Sequence, residues 1–185
     1  MQTKINNLEL VKTSYLKLIE KKNKLVSISN GIYTRYENSI VTSEHIPIHW
    51  RYDLNLERNP KGLERIGFNA AFNAGAMKWD NKYVLCVRIE GNDRKSFFGI
   101  AESPNGIDNF KFWDKPCIIQ QIQNNPDTNV YDMRLVNHED GLIYGVFCTE
   151  RKAPSALYED TSSAIANAGI VRTKDLINWE RLPDL

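Results

Sequence analysis

Two stretches of this chain occur twice. WDNKYVLCVR (79–88) is matched by HEDGLIYGVF (138–147) about 60 residues on, and GIAESPNGIDNFKFW (99–113) by GIVRTKDLINWERL (169–182) about 70 residues on. Each unit reads as a hairpin, a strand and a turn that closes near Trp113 or Trp179. A unit of this size cannot cover both of its faces alone, so it needs a neighbour on each side. In an all-β chain that points to propeller blades.

The texture of the chain agrees. After Gly31, short runs rich in β-branched and aromatic residues alternate with turn signals. The runs are YVLCVRI (83–89), SFFGIA (96–101), LIYGVFC (142–148) and AGIVRT (168–173), and the turns include Asp80-Asn81, Pro104-Asn105-Gly106 and Asp140-Gly141. Residues 3–24 differ: Ile5, Leu8, Val11, Tyr15, Leu16 and Ile19 recur at helical steps among solvated lysines. An N-terminal helix and linker over 1–30 and an incomplete β-propeller over 31–185 are expected, with no second helix. The helix has two readings, a flank packed on its own domain or a homo-oligomer contact. About two blades fit, whereas a ring needs at least four. An open arc leaves strand edges unpaired, so the chain is expected to be a fragment or a truncated product.

Charge and cysteine usage narrow the function. The formal net charge is +1, so no strong field draws the protein to nucleic acid or a membrane, and any cationic site must be local. The three cysteines, Cys86, Cys117 and Cys148, lie far apart without a CxxC pair; buried free thiols are expected at Cys86 and Cys148, which sit in apolar runs, and neither a disulfide framework nor a metal site. His45, His49 and His138 are scattered, and no phosphate-loop, HExxH or GxSxG motif occurs. The N-terminus lacks the apolar core of a signal peptide and no run has the length of a membrane span, so the cytoplasm is the expected location.

Four segments carry residues suited to chemistry. ERIGFNAAFNAGA (64–76) sets Asn73 among small residues, where a ligand and the backbone approach closely; a turn with a packed strand is the plainer reading. RIEGNDRKS (88–96) brings Arg88, Glu90, Asp93, Arg94 and Lys95 directly after an apolar strand, either as a solvated loop or as hydrogen-bonding groups at a pocket mouth. Arg88 is in phase with that strand. DTNVYDMRL (127–135) places Asp132 inside a strand, where Asp is disfavoured. It is either paired with Arg134 or another cation, or it does acid–base work. Arg151 and Arg172 fall at equivalent ends of successive runs, suited to phosphate or to surface ion pairs.

Taken together, the strings HWRYDLN, NPKGLERIGFNAAFNAGAMKWDNKYVL, RIEGNDRKSFFGIAESPNGIDNFKFW, DTNVYDMRL, HEDGLIYGVFCTERK and VRTKDLINWERLPDL resemble family 130 of the glycoside hydrolases, in order from His49 to Leu185. NDRKSFF and NVYDMRL resemble most the branch that acts on mannosyl-glucose. The resemblance implies a five-bladed propeller, of which this chain would hold about two blades and part of a third. It implies a glycosyltransferase-type phosphorylase: inverting phosphorolysis of β-1,4-mannosyl-glucose to α-mannose 1-phosphate and glucose, with inorganic phosphate as co-substrate and no cofactor. Phosphate is itself a charged nucleophile, so such an enzyme needs one acid and a cationic cradle rather than the two carboxylates of an inverting hydrolase. Asp132 matches the family's proton donor, which acts through the sugar's 3-hydroxyl and should be kept protonated by burial or nearby negative charge. Asn73 and Arg88, with Asp93 and Arg94, match positions holding the mannosyl unit; Arg151 and Arg172 match phosphate ligands. The alternatives are an inactive fragment, or an inverting β-mannoside hydrolase using Glu90 or Asp93 as its second carboxylate.

Overall fold

The computed structural model describes residues 7–29, 31–123, 126–157, 159–160 and 163–185. The N-terminal helix α1 runs Asn7–Ile19; Ile5 of the expected apolar stripe lies outside the described residues. Leu8 and Ile19 are buried, and Asn7 donates from Nδ2 to the Lys61 carbonyl at 2.9 Å. The described helix therefore packs on its own chain. The stretch expected as linker is partly a strand: β1 (Leu25–Ser29) pairs with β2 (Thr34–Tyr36). Two short helical pieces also appear where none was expected, a 3-10 turn Ser43–His45 and α2 (Ile48–Arg51) after Pro47. A single helical turn has no room to show a periodicity in sequence.

The rest is sheet. β3 (Phe68–Trp79), β4 (Lys82–Gly91), β5 (Ser96–Ser103) and β6 (Lys111–Pro116) form one antiparallel meander. β7 (Ile118–Ile119) then crosses to the far edge of a second sheet. There it runs parallel to β11 (Asn178–Arg181), which follows β8 (Asn129–Asn137), β9 (Ile143–Lys152) and β10 (Ala164–Thr173) in the order β7-β11-β10-β9-β8. The repeat seen in sequence is thus two four-stranded meanders, joined by a strand of the connection.

The match extends to individual hydrogen bonds in the last turn of each meander. Ser103 Oγ accepts from the backbone N–H of Asn105 and Gly106, as Thr173 Oγ1 does from Asp175 and Leu176. Asn105 Oδ1 then accepts from Ile107 and Asp108, as Asp175 Oδ1 does from Ile177 and Asn178. Gly106 and Leu176 both have left-handed backbone, φ 71° and 62°. One amide–carboxylate pair closes each turn with its members exchanged: Asn105 Nδ2 to Asp108 at 3.0 Å, and Asn178 Nδ2 to Asp175 at 2.8 Å.

The core lies between the two sheets. Val84, Cys86, Phe98 and Ile100 from the first meet Met133, Ile143, Phe147, Val171, Leu176 and Trp179 from the second. Phe98 and Phe147 touch edge to face, with ring centroids 5.9 Å apart. Strand side chains alternate faces, so Leu85, Val87, Ile89 and Ala101 of the first sheet point the other way, where Ile46, Val41 and Trp50 cover them. The face of the second sheet turned away from this core is open: Val146 is 41% exposed.

Candidate active site

The first strands of the two meanders, β3 and β8, lie against each other. Gly75 makes this possible, since a Cβ there would collide with the Met133 carbonyl oxygen. Just before this contact each strand carries a bulge. Asn73 and Ala74 oppose Val87 alone, between the pairs Phe72↔Arg88 and Gly75↔Cys86. Asp132 and Met133 oppose Phe147 alone, between Tyr131↔Cys148 and Arg134↔Val146. In each bulge the first residue is left-handed, Asn73 at φ 47° and Asp132 at φ 64°. Asn and Asp are among the few non-glycine residues that tolerate this conformation.

The bulges turn these two side chains toward each other. Asn73 Nδ2 donates to Asp132 Oδ1 at 3.1 Å. The same oxygen takes a second hydrogen bond from Arg88 NH1 at 3.3 Å. Every nitrogen of Arg88 has an acceptor: Nε donates to Ser96 Oγ at 3.0 Å and NH2 to Glu90 Oε2 at 3.2 Å. Its guanidinium lies between the rings of Phe72 and Tyr131, 4.5 and 4.7 Å from their centroids. Those aromatics are themselves equivalent in the two repeats, each directly preceding its bulge. Tyr131 in turn donates its hydroxyl to Glu150; burial and this hydrogen bond push that hydroxyl above its ordinary value. The result is a fixed cation beside a carboxylate that is 36% exposed. Asp132 and Arg134 open onto a cavity of ≈ 530 Å³ with Val146, Phe147, Cys148 and Ala168. The cation that pairs with Asp132 is Arg88 and not its strand neighbour Arg134, which donates to the Asn73 and Met133 carbonyls at 3.1 Å each.

Asp93 and Arg94 lie in the hairpin between β4 and β5. Asp93 Oδ1 accepts from Lys95 N at 3.0 Å and faces a separate cavity of ≈ 650 Å³ lined by Trp50, Phe68 and Phe97. Arg94 is a left-handed turn residue, φ 62°, whose exposed side chain has no ion pair among the described residues. Asn129 ties this hairpin to β8, accepting from Ser96 N at 2.8 Å. The hairpin thus borders the Asp132 cluster without joining it.

Arg151 and Arg172, expected to share a phosphate, are not brought together. β9 and β10 are antiparallel, so equivalent ends of the two runs sit at opposite ends of the sheet. Arg151 pairs with Ile165 and Arg172 with Tyr144, a separation of roughly 23 Å at the usual strand rise. Arg151 is also enclosed: it bonds Asp127 at 2.9 Å and Asp184 at 2.5 Å, with side-chain exposure of 8%. Arg181 completes that network through the same two carboxylates, at 3.0 and 2.6 Å, and stacks on Phe147. Arg172 grips Glu180 with two hydrogen bonds of 2.7 and 2.9 Å on the exposed surface.

Sequence reasoning left Ser96 and Glu150 out of the site, along with the Asp127–Arg181–Asp184 network. Glu150 stands at the place of Glu90 in the second repeat, by the pairings Ala70↔Glu90 and Asn129↔Glu150, a correspondence that strand register reveals and the sequence offset hides. Among the described residues, no three His, Cys, Asp or Glu side chains are grouped to hold a metal ion, and no helix is long and apolar enough to cross a membrane.

This constellation, on paired β-meanders, is set in a known class of sequence. No family model matches the chain. It is, however, 60% identical over 91% of its length to the 4-O-β-D-mannosyl-D-glucose phosphorylase of Bacteroides fragilis, and covers 43% of that protein. The resemblance to glycoside hydrolase family 130 is borne out by that relative over the span the chain covers. The chain thus spans less than half the length of the curated relative it matches. A solved structure of the GH130 family of mannoside phosphorylases, described as containing hydrolases that target β-1,2 mannosidic linkages in Candida mannan, superposes with TM-score 0.52 at 20% identity. That match covers 89% of this chain and 44% of the other, and carries the fold alone. A β-1,2-mannobiose phosphorylase from Listeria innocua gives TM-score 0.45 at 14% identity over 63% of this chain and 44% of its own.

Proposed function

We propose that this chain carries the acid side of a β-mannoside phosphorylase, one that splits β-1,4-mannosyl-glucose with inorganic phosphate and inverts the anomeric centre. The observation that carries the reading is Asp132, turned out of its strand by a left-handed bulge and held by Asn73 and Arg88. In the proposed reaction a phosphate oxygen bonds to the mannosyl C1 as the C1–O4 bond breaks. The Asp132 proton reaches the departing glucose oxygen by way of the mannosyl 3-hydroxyl. Asn73 and Arg88 hold the mannosyl unit, and the Asp93–Arg94 hairpin borders it. Arg151 has no part in this proposal, because its guanidinium is enclosed between two carboxylates.

The scaffold we propose is part of a five-bladed propeller, with 1–30 as an N-terminal flank and the two meanders as blades. The open face of the second sheet supports this. Val146 and Ile170 there occupy the places that Cys86 and Ile100 hold in the first sheet, and those two are buried under a neighbouring sheet. An inverting hydrolase is disfavoured. Glu90 is the ion-pair partner of Arg88, and Asp93 faces a different cavity from the one Asp132 lines, so neither is placed opposite Asp132 across a sugar site as a second carboxylate must be.

The test is an assay for mannose 1-phosphate from mannosyl-β-1,4-glucose, with and without phosphate, on this chain and on a protein of its relative's length that contains it. Phosphate-dependent product that vanishes in Asp132→Asn is expected. Phosphate-independent release of mannose would replace phosphorolysis with hydrolysis, and full activity in Asp132→Asn would remove the acid role.

A further inference from the structure

Arg88 touches two carboxylates, and they differ in what else holds them. Glu90 is 21% exposed, with Oε2 on Arg88 at 3.2 Å and Oε1 within reach of Asn69 Nδ2 at 3.4 Å. Asp132 is the more open of the two and faces the cavity. We propose that Glu90 is a positioning residue: the permanent counter-ion of Arg88, which leaves Asp132 free to gain and lose a proton.

The argument is one of charge. A guanidinium enclosed to this degree, 15% exposed between two aromatic rings, is held at lowest cost with a partner carboxylate. If Asp132 were its sole partner, protonating Asp132 would strand the cation, and the carboxylate would be locked in its ionised form. With Glu90 in place, the three groups carry a net charge of −1 when both acids are ionised and zero when Asp132 holds a proton. Arg88 then keeps both its partner and its position between Phe72 and Tyr131. The other charged or titratable groups near Asp132 are Tyr131 and Arg134 on its own strand, and Cys148 and Glu150 on β9. β3 presents only the neutral Asn73. Glu150 occupies Glu90's place in the second repeat but is bound to Tyr131 rather than to an arginine, so Glu90 is the acid in contact with Arg88 besides Asp132 itself.

This inference rests on the acid role proposed for Asp132, but its test does not require turnover. The Asp132 side-chain carboxyl is followed by ¹³C NMR across pH in the folded chain, in the wild type, Glu90→Gln and Glu90→Asp, with the amide spectrum as the control for folding. In Glu90→Gln the titration midpoint should move to lower pH by about half a unit or more, and Glu90→Asp should restore most of the wild-type midpoint. An unmoved midpoint in Glu90→Gln overturns the proposal, as does a Glu90→Asp shift equal to that of Glu90→Gln. Loss of the acid role itself would show instead as undiminished phosphorolysis by Asp132→Asn.

Discussion

Asn73 and Asp132 hold the same place in two successive repeats and are hydrogen-bonded to each other at 3.1 Å. Both are the left-handed residue of a bulge. Asn73 therefore has a backbone duty and a side-chain duty that substitution can separate. Asn73→Gly keeps the backbone and loses the bond, at about 1 kcal/mol or less. Asn73→Ala adds the left-handed penalty of about 1–2 kcal/mol. Urea unfolding of the two variants should rank alanine below glycine.

Gly75 sets the approach of the sheets. Gly75→Ala would drive a methyl into the Met133 carbonyl and the Arg134 backbone. Backbone yields less readily than a side chain, so a loss of about 1–3 kcal/mol is expected. The same denaturation experiment checks it.

Arg151 should behave as a structural residue. Arg151→Met leaves Asp127, 2% exposed, and Asp184 short of a cation. Breaking such a buried pair costs about 3–5 kcal/mol. Arg172→Ala removes a solvent-facing pair and should leave the unfolding midpoint nearly unchanged. Equally mild effects of the two variants would show that the enclosed network contributes little to stability.

Acid should weaken the second sheet through Asp184. Burial raises this carboxyl, but hydrogen bonds from Arg151 and Arg181 outweigh that and hold it below the usual range. A depressed folded value means the stabilisation is complete above the unfolded value of about 3.9 and is lost as pH falls through the folded one. Melting temperatures between pH 5 and pH 2 should thus fall more steeply in the wild type than in Asp184→Asn.

The exchanged amide–carboxylate pairs make a swap test. Burial raises the Asp175 carboxyl, yet hydrogen bonds from Asn178, Ile177 and Thr173 bring it to about 2. Asp175→Asn alone should lower the melting temperature. Adding Asn178→Asp, which recreates the order found at Asn105 and Asp108, should recover part of the loss.

Much of this architecture was legible in the chain. The repeat located both meanders, and the oddity of an aspartate in a strand located Asp132. What the sequence obscured has physical causes. The turn after β3 has two residues, Asp80 and Asn81, whereas Glu139, Asp140 and Gly141 intervene between the bonded His138 and Leu142. That extra residue makes a fixed-period comparison set Arg88 against Phe147, when its structural counterpart is Cys148. The direction of a strand is also invisible in a motif, so Arg151 and Arg172 looked like neighbours when they are far apart. Glu90 read as part of a solvated charge run because nothing local reveals that Arg88 turns back onto it.

The close approach at Gly75 has a mechanical meaning. Gly75 lies two residues from Asn73, and the Met133 carbonyl it meets belongs to the residue directly after Asp132. A rocking of one sheet on the other about this point would sweep their far edges through large arcs. Across the Asn73–Asp132 bond the lever arm is short, so the same motion would displace it little. Asp132 lies close to that pivot, so its pairing with Asn73 would be the geometry such a motion disturbs least.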